Sequence, residues 1–188
     1  MIKNSVALIG SREIPTKLYH ILIKGGKYIS DQGVLGLSGG APGSDYNFMK
    51  EYSHDLRCII IPNQGFNNHY KGQGIHVFTD FNKSIKEKSA NIIRRFYPKL
   101  DSCSKTVKHL QCRNCMQILT PTLEDPVDSV IFWAPEDKYG NVSGGTRTAV
   151  YLARSLGIKT YNLNNFMVME EFKEMIGYKD MSLDWLFN

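Results

Sequence analysis

Five short runs rich in β-branched and apolar residues, Val6 to Ile9, Val34 to Ser38, Cys58 to Ile61, Ser129 to Trp133 and Lys159 to Asn162, alternate with segments long enough for a helix. A strand with one wet face alternates apolar and polar residues, whereas these runs are nearly continuous, as expected when both faces are covered. Strands of that kind separated by helices describe an α/β chain with a mainly parallel central sheet and helices on both faces. The pattern predicts helices at Thr16 to Ser30, Asp45 to His54, Ile85 to Tyr97, Val107 to Leu119, Thr146 to Leu156 and Met167 to Ile176. Gly25-Gly26 lies inside the first, where it either weakens the helix or marks close packing against the sheet.

With 188 residues, 42% of them apolar, the chain has the core of one compact domain spanning 1–188. Residues 62–83 are rich in Gly, Asn, Gln and His without a period, and read as a long irregular excursion with a short strand at His76 to Phe78. The excursion continues into a basic stretch, so the region around 62–108 is both irregular and basic. Between Asn82 and Arg113 nine basic residues face only Glu87 and Asp101, a local +7 in a chain of formal net charge +5. This excess is either a solvated helix face or a track for a nucleic-acid backbone, with Phe66, Tyr70, Phe81, Phe96 and Tyr97 available for stacking, Phe96 also fitting the core.

No apolar run reaches membrane-spanning length and the N-terminus carries no secretory pattern, so a cytoplasmic chain with no membrane partner is expected. The C-terminal stretch from Glu170 is acidic and ends in Leu183, Trp185, Leu186 and Phe187, which reads as a segment docked on the core or as an exposed protein-binding patch.

Three predicted strand ends open into Gly- and Ser-rich turns: Gly10-Ser11-Arg12, Ser38-Gly39-Gly40-Ala41-Pro42-Gly43-Ser44-Asp45 and Ser143-Gly144-Gly145-Thr146. In an open α/β sheet the C-terminal strand ends line one crevice, so the turns are expected to converge there. Glycine lets backbone approach an anion, and helix-start N–H groups favour negative charge; phosphate is the economical ligand. Arg12 either forks onto a phosphate or pairs with a carboxylate. Ser44 and Ser143 also fit N-caps, and Asp45 fits either a ribose contact or a first helical turn.

The stretches VALIGSREIPT and GVLGLSGGAPGSD, the pair Arg113-Asn114 in a helical segment, and SGGTRTAVYLARSLGIKTYNL together resemble the successive motifs of the SLOG superfamily, in particular the Rossmann-like core of the DNA-processing proteins called DprA. The resemblance implies a Rossmann-like three-layer sandwich and a binding crevice formed by Gly10, Ser11, Arg12, Gly39, Gly40, Arg113, Asn114, Ser143, Gly144, Gly145 and Thr146, to which the reading of the second turn adds the Ser38 hydroxyl and Asp45. It implies as partner a nucleotide or a single-stranded nucleic acid, single-stranded DNA foremost, and a homodimer. Other members bind small signalling nucleotides or release a base from a nucleotide, so an N-glycosidic hydrolase or transferase and a nucleotide sensor are the alternatives. In the phosphoribohydrolase branch a Pro-Gly-Gly-x-Gly-Thr-x-x-Glu motif is typical; here Ser143, Arg147 and Tyr151 replace the proline, the third glycine and the glutamate, removing that branch's catalytic carboxylate.

If a glycosidic bond is cleaved, the candidate carboxylates are Glu136, Asp137 and Asp45, with Glu13 also near the crevice. Cys103, His109, Cys112 and Cys115 offer three thiolates and an imidazole to a zinc ion, and Cys112 with Cys115 a redox pair, but the spacing is no familiar zinc pattern and buried or half-buried thiols are the main reading, so neither metal nor cofactor is expected.

Overall fold

The computed structural model describes residues 4–179. Six strands, β1 (Ser5–Gly10), β2 (Leu35–Ser38), β3 (Arg57–Ile61), β4 (Ile75–Val77), β5 (Ser129–Trp133) and β6 (Lys159–Asn162), form one sheet in the order β4-β3-β2-β1-β5-β6, and every neighbouring pair is parallel. The helices are α1 (Leu18–Asp31), α2 (Ser44–Met49), α3 (Lys83–Arg94), α4 (Lys105–Leu119), α5 (Arg147–Ser155) and α6 (Phe166–Met175). Within β1, Val6 and Leu8 pack with α1, α2 and α6, while Ala7 and Ile9 pack with α3, α4 and α5. A strand that buries both faces has no polar positions to alternate, which is why the runs are continuous. The result is the Rossmann-like three-layer arrangement expected from the chain.

From β1 the chain steps outward through β2 and β3 to β4, then returns through α3 and α4 to place β5 on the other side of β1. The direction of winding therefore reverses between β1 and β5. At such a point the connections on either side diverge and leave a crevice beyond the carboxyl ends of the strands.

Several boundaries differ from expectation. α2 stops at Met49, not at His54: Tyr52 is buried and donates its hydroxyl to the Val34 carbonyl at 2.7 Å, and Ser53 N–H donates to Ser30 Oγ at 2.9 Å, so the chain is drawn against α1 and β2. α3 and α4 begin earlier than predicted because Asn82 and Ser104 cap them, accepting from the N–H of Ile85 and Val107. Gly25-Gly26 packs against helices, not the sheet: a Cβ on Gly25 would lie 2.4 Å from the Phe172 ring of α6, and one on Gly26 would lie 1.9 Å from the Phe48 carbonyl oxygen of α2.

The predicted apolar group Leu183, Trp185, Leu186 and Phe187 lies outside the described residues. No helix among the described residues is long and apolar enough to cross a membrane.

Candidate functional site

At the β1/β5 reversal lies an open crevice of about 500 Å³. Its walls come from the end of β1 (Ile9 to Glu13), from Ala41 and Asp45 after β2, from α4 (Val107, Leu110, Gln111, Arg113, Asn114, Gln117), and from Pro135 with Ser143 to Thr146 beyond β5. The first and third glycine turns thus meet, with Arg113 and Asn114 between them.

The turn after β2 plays a different part. Its glycines Gly39 and Gly40 are buried, as is Ser38, and none of the three lines the crevice. Asp45 is only 3% exposed, and its carboxylate accepts the N–H of Gly10 and of Gly39, each at 3.0 Å, with a further backbone bond from Ala41. The amide cradle predicted for a guest is therefore occupied at this turn by the protein's own carboxylate. Burial pushes the Asp45 carboxyl up from its ordinary range, while Arg113 and the three amides pull it back. Gly40 faces the opposite way, toward Ile59, Ile61 and His69.

Ser44 is not a cap: its N–H donates to the Ser11 carbonyl at 3.0 Å, which ties the second turn to the first, and its Oγ is buried without a partner. Ser143 is not a cap either, because α5 begins after Thr146.

Arg113 is 5% exposed at the crevice floor. With its amide turned to satisfy both neighbours, Gln117 accepts from Gly39 N–H at 2.9 Å and from Arg113 Nη1. Arg113 Nε has no partner. Burial, against the attraction of Asp45 and helped by the nearby charge of Arg12, lowers this guanidinium to about 10. Arg12 is exposed on the rim and, among the described residues, holds no hydrogen-bonded or ionic side-chain partner. Two like charges therefore face one opening, and the nearest buried carboxylate is already committed to backbone.

Across the opening, Ser143, Gly144 and Gly145 are exposed, and space is open where a Cβ would stand on either glycine. The loop is fixed from α4: Asn114 Nδ2 donates to the Gly145 carbonyl at 3.1 Å and more weakly to Gln111 Oε1 at 3.4 Å, which also accepts from Thr148 Oγ1 at 2.8 Å. Gln111 and Gln117 carried no distinct sequence signal beyond spacing: one helical turn before Asn114 and after Arg113, they complete a polar stripe on α4.

Of the other carboxylate candidates, Glu13 lines the crevice while Glu136 and Asp137 do not. Glu136 is paired with Arg154 at 2.6 Å. Asp137 accepts from Tyr139 N–H, Asn141 N–H and Asn141 Nδ2 at 2.8, 2.9 and 2.8 Å, organising the loop after β5. These bonds, the Asn141 side chain first, hold the Asp137 carboxyl below its ordinary 3.8. Since its native value is depressed, the stabilisation it gives is present above 3.8 and is lost as pH falls through the native value. A carboxyl titration followed by NMR should place the Asp137 midpoint below 3.8, and Asn141→Ala should return it toward that value.

The basic stretch is partly neutralised. Arg94 forks onto Asp101 at 2.8 and 2.9 Å, and Lys88 pairs with Glu124 at 3.0 Å. Cys112 and Cys115 are buried in the core, Cys115 Sγ donates to the Cys112 carbonyl, and the His109 ring lies tilted at 55° against Phe78, ring centroids 5.5 Å apart.

No protein-family model matches the chain, and no curated protein does. Among solved structures, that of DNA processing protein A from Helicobacter pylori, described for its single-stranded DNA binding mode, matches with a TM-score of 0.50 at 16% identity, covering 94% of this chain and 74% of that one. The six parallel strands and flanking helices that frame the crevice are thus similar in fold to that DNA processing protein.

Proposed function

We propose that the crevice holds the phosphate backbone of a single-stranded nucleic acid, DNA foremost, as in the SLOG superfamily that the sequence resembles, and that the chain binds without turning its ligand over. One observation carries the reading: Arg12 and Arg113 face the same opening as the exposed Ser143-Gly144-Gly145 loop, while Asp45, the buried acid beside them, is spent on three amides. Arg12 has no anionic partner among the described residues and Arg113 has only the buried Asp45, itself bonded to backbone, so a phosphodiester would supply oxygens for forked hydrogen bonds. The fold likeness to a protein that binds single-stranded DNA supports the same reading.

Base release is disfavoured by the same geometry. Glu136 and Asp137 lie off the crevice, Asp45 is buried behind backbone, and among the lining residues only Glu13 offers an accessible carboxylate. A small nucleotide remains the second reading, because the crevice volume suits one.

Fluorescence anisotropy with a labelled single-stranded oligonucleotide tests the proposal. The logarithm of affinity should fall linearly with the logarithm of salt, and Arg12→Ala should weaken binding roughly tenfold and make the slope shallower by about 0.7. Salt-insensitive binding, or none at low salt, overturns it. Thermal shift separates the second reading, since only a nucleotide-sequestering protein gains more from a mononucleotide than from the polymer. The homodimer belongs to the same proposal, and sedimentation at micromolar concentration should find it.

A further inference from the structure

We propose that Gln111 and Asn114 read the hydrogen-bonding edge of a nucleobase, Gln111 as donor and Asn114 as acceptor, so that the crevice takes a base as well as its phosphate. The inference rests on the nucleic-acid reading above and adds a ligand group that reading does not require.

The orientation of both amides follows from one carbonyl. Gly145 O only accepts, so the Asn114 atom 3.1 Å from it is the nitrogen. The same nitrogen faces the Gln111 atom at 3.4 Å, which is therefore oxygen, and Thr148 donates its hydroxyl to that oxygen at 2.8 Å. Asn114 Nδ2 then has both hydrogens engaged and Gln111 Oε1 accepts twice. What remains is Asn114 Oδ1, an acceptor, and Gln111 Nε2, a donor of two hydrogens. Neither holds a partner among the described residues, and neither is among the buried polar atoms left unpaired, so both atoms remain open to solvent in residues that line the crevice.

A donor beside an acceptor is what the edge of a pyrimidine or purine matches, and amide side chains are suited to such paired contacts. Val107 and Leu110, preceding Gln111 on α4, give the same wall an apolar surface for the flat of the ring. The phosphate end is supplied separately by Arg12 and by the exposed loop of Ser143 to Gly145.

The test compares an oligothymidylate with an abasic oligonucleotide of equal length, each titrated against the full chain. The unaltered protein should prefer the base-bearing strand about tenfold. Gln111→Glu keeps the oxygen that accepts from Thr148 and replaces only the free donor by an acceptor. Its added negative charge lowers affinity for both strands, so the ratio is the readout, and it should fall about fivefold or more. Gln111→Met, which removes the donor without adding charge, should lower the ratio similarly, while Arg12→Ala should weaken both strands alike and leave the ratio unchanged. A ratio near one in the unaltered protein, or one that neither Gln111 variant moves, overturns base reading while leaving phosphate binding intact; absence of binding to both strands overturns both proposals.

Discussion

Replacing Asp45 by alanine should cost about 3–5 kcal/mol of folding stability, the range for removing one member of a buried charged cluster. The substitution strips the carboxylate acceptor from the N–H groups of Gly10, Ala41 and Gly39, leaving Gly39 with only Gln117. It also leaves Arg113 buried without its nearest opposing charge, and each orphaned buried group carries a desolvation cost of its own. For a chain of this length the midpoint of thermal unfolding should drop by roughly 6–20 °C. Asp45→Asn retains an acceptor oxygen and should fall between the two proteins. A drop of no more than a degree or two would mean that the three amides find other partners and that the carboxylate does not hold the turns together.

Gly26→Ala offers the second large effect, and its sign is diagnostic. In an exposed helix interior, alanine in place of glycine gains about 1 kcal/mol. Here the new methyl group would meet the Phe48 carbonyl oxygen at 1.9 Å, a backbone atom that cannot rotate aside. Overpacking of that kind costs about 1–3 kcal/mol, so urea denaturation should show a net loss where helix propensity alone forecasts a gain. The consequence reaches the crevice, because α2 carries Asp45 as well as Phe48. Parting α1 from α2 should therefore weaken oligonucleotide binding along with stability, whereas Gly33→Ala, with nothing within 4 Å of its added carbon, should leave packing unchanged and show only the strain of a positive φ.

The sheet was legible because strands buried on both faces leave an unbroken apolar signature, and β5 begins and ends where that signature does; the edge strand β6 has the expected bounds without it, with Lys159 exposed and Thr160 and Tyr161 half-buried. Helix ends were less legible. Asn82 and Ser104 announce their helices only if read as caps, and the stop of α2 depends on the Tyr52 hydroxyl reaching a carbonyl 18 residues away. The turns after β1 and β5 reach the crevice as their glycines suggest. In the turn after β2 the glycines Gly39 and Gly40 do not, only Ala41 and Asp45 do, and composition hides the reason: an Asp at a helix start looks the same whether it reaches outward to a sugar or inward to two strand ends. Glu136 and Asp137 follow a strand as site acids do, but Arg154 and Asn141 hold them elsewhere. The charge count between Asn82 and Arg113 included Asp101, onto which Arg94 forks, but not Glu124, which lies outside that stretch and pairs with Lys88.

The pairing of β1 with β5 joins Val6 to Ser129, so one bank of the crevice is built more than a hundred residues before the other. Closing so long a segment is entropically costly and slow, and local helices and hairpin-range contacts form ahead of it. During synthesis the emerging polypeptide has no place for an anion until β5 has left the ribosome and seated itself beside β1. Ligand affinity therefore reports on one long-range step of assembly, and a bound strand should retard unfolding by holding that seam shut.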